Sequence, residues 1–548
     1  MQFNLADLFE CVADHVPDHE AVVCGPTRVT YRELDAASNR VAHGLAGLGV
    51  TAGDHVGVAL RDSVEHVEVM IACYKLRAVP VNVSYRYVAD EVAYLCRDAG
   101  LVALVSARGQ AAATVGAPVA HRVEVDDGSG PHSPGALAYE ALRTGASAAR
   151  DFGPRSGDDR YVLYTGGTTG LPKGVVWRQE DIFFAALGGG NPGGPPIEAP
   201  EAIGPGVLAN PAGRVAAFLT PDAPKPALVA LATGPLIHAS GQWSALGTLL
   251  SGGAVVLYAE PHLDAASLLD LVARERIVAL NLVGDAVARP LVEQLEAHPG
   301  RWDTASLLLL GSGGSILSGD VKDRLLAAMP SVAALIDGIG SSESPAQAVA
   351  VTTRGGQPTT SLRFTAKATT MVVDDDLRPV PPGEGTVGRL ATTGRVPLGY
   401  LGDPERSART FVEIDGARWS LPGDMATIDA EGTVHLLGRG SFCINTGGEK
   451  VYPEEVEAAL KSHPAVADAV VVGVPDPRWG ERVAVLVAPA DGVPAGEPTL
   501  DALQAYARER LAGYKLPRVL RLVDEVVRLP TGKADYRWAR EAALTTPT

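Results

Sequence analysis

The sequence predicts an α/β protein with mainly parallel sheets, joined at its C-terminal end to a smaller α+β unit. Three observations lead there. Helical and strand-like patterns alternate from about residue 30 to 310, short apolar runs bounded by turn formers recur within that stretch, and the pattern changes after Gly438-Arg439-Gly440. Alternating strands and helices mark βαβ units, and continuous apolar runs mark strands buried on both faces.

Along the chain, Leu5, Leu8, Phe9, Val12 and Val16 share one face of an opening helix. "TYRELDAASNRVAHGLAGLGV" reads as a second helix, with Leu34, Val41 and Leu45 on one side and Gly47 and Gly49 closing it. "HVGVAL", "LVALVS", "AVVLY" and "LLLLGSGG" are the buried strands. Residues 188–226, beginning GGGNPGGPPIEAP, read as a long loop or partly ordered insertion. Residues 364–439 carry short alternating strands with turns at PPGEG, LGDPE and DAEG, which predicts a β-rich lobe. Beyond a boundary near residue 440, a helix (453–461), two strands (467–474 and 482–488) and a helix (500–511) form a self-contained unit. The expected domains are therefore 1–439 and 440–548, and no repeat of fixed period is present.

Composition excludes several classes. Of 548 residues, 46% are hydrophobic and 20% charged, which is a globular balance. A net charge of −17 argues against a nucleic-acid surface, although a few local cations suffice for a small anionic substrate. The apolar region from Ala227 to Tyr258 is broken by Pro235, His238, Gln242 and a glycine pair, so no membrane span is expected. No basic leader precedes an apolar run at the start, which predicts no signal peptide and a cytoplasmic location. Cys11, Cys24, Cys73, Cys96 and Cys443 are scattered without a CxxC pair, pointing to reduced thiols rather than a zinc or disulfide framework.

"YTGGTTGLPKGVVW" (164–177) follows a strand-like segment. Consecutive Gly and Thr residues there offer backbone N–H groups and hydroxyls to an anion, and Lys173 adds a charge. The GxxxxGK[ST] pattern is absent, so this is not the common P-loop. Thr165, Gly166, Gly167, Thr168, Thr169, Gly170 and Lys173 instead resemble the phosphate loop of the adenylate-forming superfamily, which includes acyl-CoA synthetases, peptide-synthetase adenylation domains and firefly luciferase. Gly166 replaces the usual serine, so one hydroxyl is lost and the backbone cradle is kept.

Further motifs of that superfamily follow in order. "GSGGS" (311–315), with Gly313, Gly314 and Ser315, and "DGIGSSES" (337–344), with Asp337, Gly338, Gly340 and Ser342, resemble the adenine wall and the YGxTE segment. Ile339 stands for the usual Tyr. Glu343 matches the carboxylate that holds Mg²⁺ with phosphate oxygens. "WSLPGDMA" (419–426) resembles the ribose motif, with Asp424 for the hydroxyls, Arg439 in support, and Pro422 in place of Thr. "PTGK" supplies Lys533, whose ammonium would stabilise charge developing at the α-phosphorus. "GRGSFCINTGGEKVYPEEVE" (438–457) resembles the hinge and thiol tunnel. Ser441 takes the hinge position, and Gly447 and Gly448 would let a pantetheine arm pass close to the backbone. Cys443 reads as a small buried hydrophobe. Taken alone, Glu343 could be a helix-start carboxylate, Asp424 a turn residue and Lys533 a solvated tail lysine.

The resemblance implies a large N-terminal domain of two doubly wound sheets plus the β-rich lobe, and a mobile C-terminal domain that alternates between two half-reactions. ATP and a carboxylic acid would give acyl-AMP and pyrophosphate, and coenzyme A would then capture the acyl group. Glu343, His238 and Lys533 are the expected catalytic residues. His238 in "GPLIHASGQW" matches the gate of the carboxylate pocket, with a satisfied core histidine as the other reading, and Trp243 and Gly340 are expected in the acyl pocket. That segment holds no acid for an α-ammonium, which disfavours amino-acid substrates. With no carrier domain expected after the C-terminal unit, and no long insertion of the fatty acyl-AMP ligase kind before Lys533, free coenzyme A is the expected acceptor.

The finer match is to the actinobacterial acyl-CoA synthetases of bulky isoprenoid acids, and residues 188–226 could shape a wide acyl pocket or lid. The alternatives are a medium- or long-chain fatty acyl-CoA synthetase and an adenylating enzyme that passes acyl-AMP to a separate ligase or carrier protein. A non-catalytic scaffold and luciferase-type oxidation are further, less favoured readings. A homodimer stays open.

Overall fold

Five apolar runs in the first 140 residues assemble into one all-parallel sheet, ordered Val79–Asn82, His55–Ala59, Leu101–Ala107, His121–Val125, Leu137–Ala138. The structure is a computed structural model. It describes residues 1–545 except 167–170, 192–193, 220–224, 261, 315–316, 318, 355–362, 440–443, 452, 462, 491 and 528–534. Helices Tyr31–Gly47 and Val64–Leu76 cover one face of this sheet through Val41, Leu45, Val69 and Ala72. Helix Ala89–Ala99 covers the other through Val92 and Leu95. The Tyr31–Gly47 helix starts where the sequence places it because Thr30 and Glu33 form a reciprocal capping box.

The second sheet is parallel through Glu20–Cys24, Ala254–Leu257, Val229–Ala232, Ala279–Leu282, Leu309–Gly313 and Ala334–Ser341. Successive side chains point to opposite faces. Leu231, Leu280 and Leu310 therefore meet the helices Ala265–Glu275, Gly284–Ala297 and Gly319–Ala328, while Ala230, Ala279 and Leu309 join a second core. Both sheets are thus covered on two sides, as a doubly wound arrangement requires. From Ser344–Thr353 onward the pairing turns antiparallel, and the strands of the β-rich lobe continue the second sheet through Arg363–Ala366 and Thr433–Arg439.

Between the two sheets stands the hairpin Arg160–Gly166/Pro172–Arg178. Val162, Tyr164 and Val176 enter the core of the first sheet, whereas Tyr161, Leu163, Val175 and Trp177 enter the core beneath the second. The strict period of two makes this hairpin a wall shared by two hydrophobic cores.

From Ile444 onward the chain builds its own five-stranded sheet. Helices Pro453–Lys461 and Leu500–Arg508 pack one face, and Tyr536–Leu544 packs the other. Among the described residues, no helix is long and apolar enough to cross a membrane. Cys11, Cys24, Cys73 and Cys96 are free thiols, and Cys443 lies outside the described residues.

The 188–226 segment departs from expectation. It contains helix Ile203–Ala209 and the 3₁₀ stretch Gly213–Phe218. Ile203 and Val207 pack with the opening helix, and Val215 packs on Leu228 and Ala230 of the second sheet. None of its described residues lines the large cavity discussed next, and Val215 covers a face of the second sheet.

Candidate active site

In open α/β sheets, ligands collect outside the carboxyl ends of the strands. A cavity of about 860 Å³ opens there. Thr233, Val283 and Ser312 to Gly314, which end three parallel strands or directly follow them, form its floor, with Gly338 and Gly340 beside them. Thr165 and Pro172 of the hairpin wall form one side. Ile237, Trp243, Val287 and Pro290 supply an apolar side, contributed by the segment before helix Ala239–Leu249, by that helix and by Gly284–Ala297.

The hairpin connects Thr165 and Gly166 to Lys173 across its last rungs, with Thr165 opposite Lys173 and Gly166 opposite Pro172. Its tip, Gly167 to Gly170, lies outside the described residues, as do Ser315, Ser441 and Lys533. Lys173 Nζ donates to Glu343 Oε1 at 2.8 Å and to the Tyr400 hydroxyl at 2.7 Å. Tyr400 Oη donates to the same Glu343 oxygen at 2.8 Å. Burial, reinforced by the Glu343 carboxylate, pushes the Tyr400 phenol well above its ordinary value.

Glu343 sits in a tight turn between the strands Ala334–Ser341 and Ser344–Thr353, rather than at a helix start. Trp177 Nε1 holds the turn by donating to the Ser342 carbonyl at 3.0 Å, and Ser420 Oγ donates to the Glu343 carbonyl at 3.1 Å. Ser420 thereby brings the 419–426 motif to this turn. Asp424 is buried at the start of strand Asp424–Ile428, opposite Arg439 in register, and does not itself line the cavity. Ser342 does.

Asp337 is a correction. Alternation along its strand turns Gly338 and Gly340 to the cavity, and the Asp337 carboxylate instead forms a buried ion pair with Lys322 of helix Gly319–Ala328 at 2.9 Å. Its side chain is structural in this state.

The C-terminal unit closes the remaining side. Gly447 and Gly448 turn between strands Ile444–Thr446 and Glu449–Val451 and line the cavity, at φ +59° and +82°. A Cβ on Gly448 would stand 2.4 Å from Val283 Cγ1, and one on Gly447 would stand 2.6 Å from the Trp479 ring. Glu449 pairs with Arg86 across the seam, and its Oε1 is 3.3 Å from His238 Nε2. Partial burial and the Arg86 charge lower the His238 imidazole below its ordinary value, which favours the neutral ring at pH 7. Its side chain is 40% open, toward the cavity, so it is a wall residue rather than a core histidine. Lys515 donates to Glu91 at 2.8 Å, a second bond between the two units.

Three positions carry this geometry without belonging to any motif above. Tyr400 lies next to a segment legible only as a turn. Arg86 looks like one more surface cation. Asn82 ends the strand Val79–Asn82, and its amide donates to the carbonyls of Tyr164 (2.8 Å) and Ile237 (2.7 Å) while accepting from Tyr164 N–H at 2.7 Å. It ties the phosphate-loop strand to the His238 segment. A lone polar residue in an apolar strand was its only signal.

Among the described residues no cluster of His, Cys, Asp or Glu could cage a metal ion. One buried carboxylate, Glu343, beside Lys173 of the hairpin fits Mg²⁺, which takes one or two carboxylates plus substrate phosphates.

Comparison with known proteins agrees with this geometry. Residues 9–401 match the AMP-binding enzyme family, and residues 455–533 match the AMP-binding enzyme C-terminal domain. A 3-oxocholest-4-en-26-oate–CoA ligase of Rhodococcus rhodochrous is 41% identical, over 99% of this chain and 96% of that protein. A medium/long-chain-fatty-acid–CoA/3-oxocholest-4-en-26-oate–CoA ligase of Mycolicibacterium smegmatis is also 41% identical, over 100% and 98%. Among solved structures, the amide bond synthetase McbA of Marinactinospora thermotolerans superposes with a TM-score of 0.76 at 25% identity, covering 97% of this chain and 99% of that one. Both family models match in order along a chain whose two units meet at one cavity, and the chain therefore belongs to the AMP-binding enzyme family.

Proposed function

We propose that the chain is an ATP-dependent acyl-CoA synthetase that activates a bulky hydrophobic carboxylic acid of the steroid or terpenoid type. The observation that carries this reading is the single cavity that joins the phosphate-loop strand, an apolar wall and the Gly447-Gly448 turn of the second unit.

In the first step a carboxylate oxygen attacks the α-phosphorus of ATP, the bond to pyrophosphate breaks, and an acyl-AMP anhydride forms. Thr165 and the loop that follows it would bind phosphate oxygens, with Lys173 as the local cation. Asp424 would hold the ribose, with Arg439 in support. Lys533 would stabilise the charge developing at phosphorus, a role resting on its place in PTGK. Glu343, together with phosphate oxygens, would hold Mg²⁺, which supplies charge neutralisation at the phosphates. In the second step a thiol attacks the acyl carbon, AMP departs and the thiol proton is released. Gly447 and Gly448 would leave room for a narrow pantetheine arm, and His238, bonded to Glu449, would stand in the wall beside it. Arg478 stacks on Trp479 at 4.5 Å at this mouth, a surface that would suit the nucleotide of coenzyme A.

Ile237, Trp243, Val287 and Pro290 offer the acid an apolar wall with no carboxylate for an α-ammonium, which supports a hydrocarbon-rich acid. Ligand pockets of roughly 300–1,000 Å³ are usual for molecules of drug size. The name of the Mycolicibacterium smegmatis relative, which covers both fatty and steroid acids, favours a medium- or long-chain fatty acid as the second reading.

The test is mass spectrometry of products from ATP, Mg²⁺ and a panel of fatty, aryl, steroid and terpenoid acids, with and without coenzyme A. Acyl-CoA formed from ring-bearing acids is the expected result. Turnover of short aliphatic acids alone would overturn the bulky-acid reading, and acyl-AMP that coenzyme A never consumes would overturn thiol ligation.

A further inference from the structure

Tyr400 belongs to the two-residue strand Gly399–Tyr400, which adds to the outer edge of the phosphate-loop hairpin with Tyr400 opposite Val175. Its position is over-determined. The backbone N–H donates to Ser407 Oγ at 2.8 Å, the ring packs on Phe411 at 5.5 Å between centroids, and the residue is buried. Its hydroxyl touches both charged groups of the proposed nucleotide site, accepting from Lys173 and donating to Glu343. Lys173 Nζ also lies 4.1 Å from the centre of the Tyr400 ring.

Lys173 and Glu343 neutralise each other in this state. On the reading above, nucleotide binding must draw them apart, Lys173 toward phosphate and Glu343 toward a cation. A buried charge that loses its partner is strongly disfavoured unless another group satisfies it. Tyr400 is the group already bonded to both, and it is anchored by contacts that the exchange leaves intact. Its O–H continues to donate to the carboxylate after the ammonium leaves, which keeps the oxygen aimed. Its ring face continues to attract the ammonium through a cation–π contact.

We propose that Tyr400 is a positioning residue that keeps Glu343 and Lys173 aimed through this exchange, one toward the cation and the other toward phosphate. The proposal rests on the adenylating function proposed above. It goes beyond it in assigning a role to a residue outside the motifs named above.

The experiment is isothermal titration of the full chain and its Tyr400→Phe variant with MgATP, with AMP without metal, and with Mn²⁺ in the presence of saturating ATP. Phenylalanine keeps the ring and the packing. A hydrogen bond to a charged group lost on this substitution predicts a lower Tm for the free chain and MgATP and Mn²⁺ binding weakened about 10- to 100-fold, with AMP affinity unchanged. Equal weakening of AMP and MgATP would show a merely structural role and overturn the proposal, as would unchanged MgATP affinity. A parent chain that binds neither nucleotide would overturn the function reading and this inference together.

Discussion

Replacing Gly448 by alanine separates the two half-reactions. The added methyl acts in two ways. At φ +82° a non-glycine residue carries left-handed strain, about 1–2 kcal/mol. This term is present whichever way the C-terminal unit faces, so it lowers stability without choosing an orientation. The second effect does choose. The new Cβ would stand 2.4 Å from Val283 Cγ1, across the seam between the two units. Val283 is β-branched and stiff at χ1, so it yields poorly. Overpacking of this kind costs about 1–3 kcal/mol, which opposes the orientation seen here by roughly 5- to 150-fold.

Stopped-flow release of pyrophosphate reads the first step, and a chase of preformed acyl-AMP with coenzyme A reads the second. Thiol capture should slow by that factor while pyrophosphate release keeps its rate. Adding Val283→Ala should restore most of the capture rate, because it removes the clash and leaves the strain. Equal slowing of both steps, or a double variant no faster than the single one, would refute the assignment of this turn to the second step.

Three further outcomes follow from other parts of the molecule. Asn82→Leu keeps the volume but strips three backbone groups of their partner, at about 1–3 kcal/mol each; a lower Tm and weakened ATP binding are expected, and an unchanged Tm would contradict the stitching role. His66 is fully buried with no partner for Nε2, and burial lowers it from 6.5 to about 4. Between those values the unfolded chain binds the extra proton, so stability rises with pH there. Full stability holds above about pH 6.5, and roughly 3 kcal/mol is lost on acidification to pH 4; chemical denaturation of His66→Gln across this window should show a flatter slope. Finally, Val287→Trp fills the apolar side of the cavity, so it should raise KM for ring-bearing acids more than tenfold and leave short acids nearly unaffected. An equal effect on both would place the acyl group elsewhere.

Much of the fold was legible because local physics and the global arrangement agree. Leu231, Leu280 and Leu310 sit in continuous apolar runs, which only strands covered on two faces tolerate. The 188–226 segment was less legible. Its glycines and prolines suggest a loop, but Val215, Ile203 and Val207 find apolar partners on other elements, and those contacts, not local propensity, make its helical turns worthwhile.

The sequence alone determined which groups the chain carries: a Gly/Thr loop with its lysine, a carboxylate at 343, the WSLPGDMA segment and a glycine pair at 447–448. These are properties of residue type and near-neighbour order, which survive without knowledge of distant contacts. Only the tertiary structure decided which groups meet. It paired Lys173 with Glu343 through Tyr400 across 170 and 227 residues of sequence separation, turned Asp337 away to Lys322, and set Gly448 against Val283. Such pairings depend on strand alternation and on how two units dock, and buried charges settle on whichever partner the packing brings within reach.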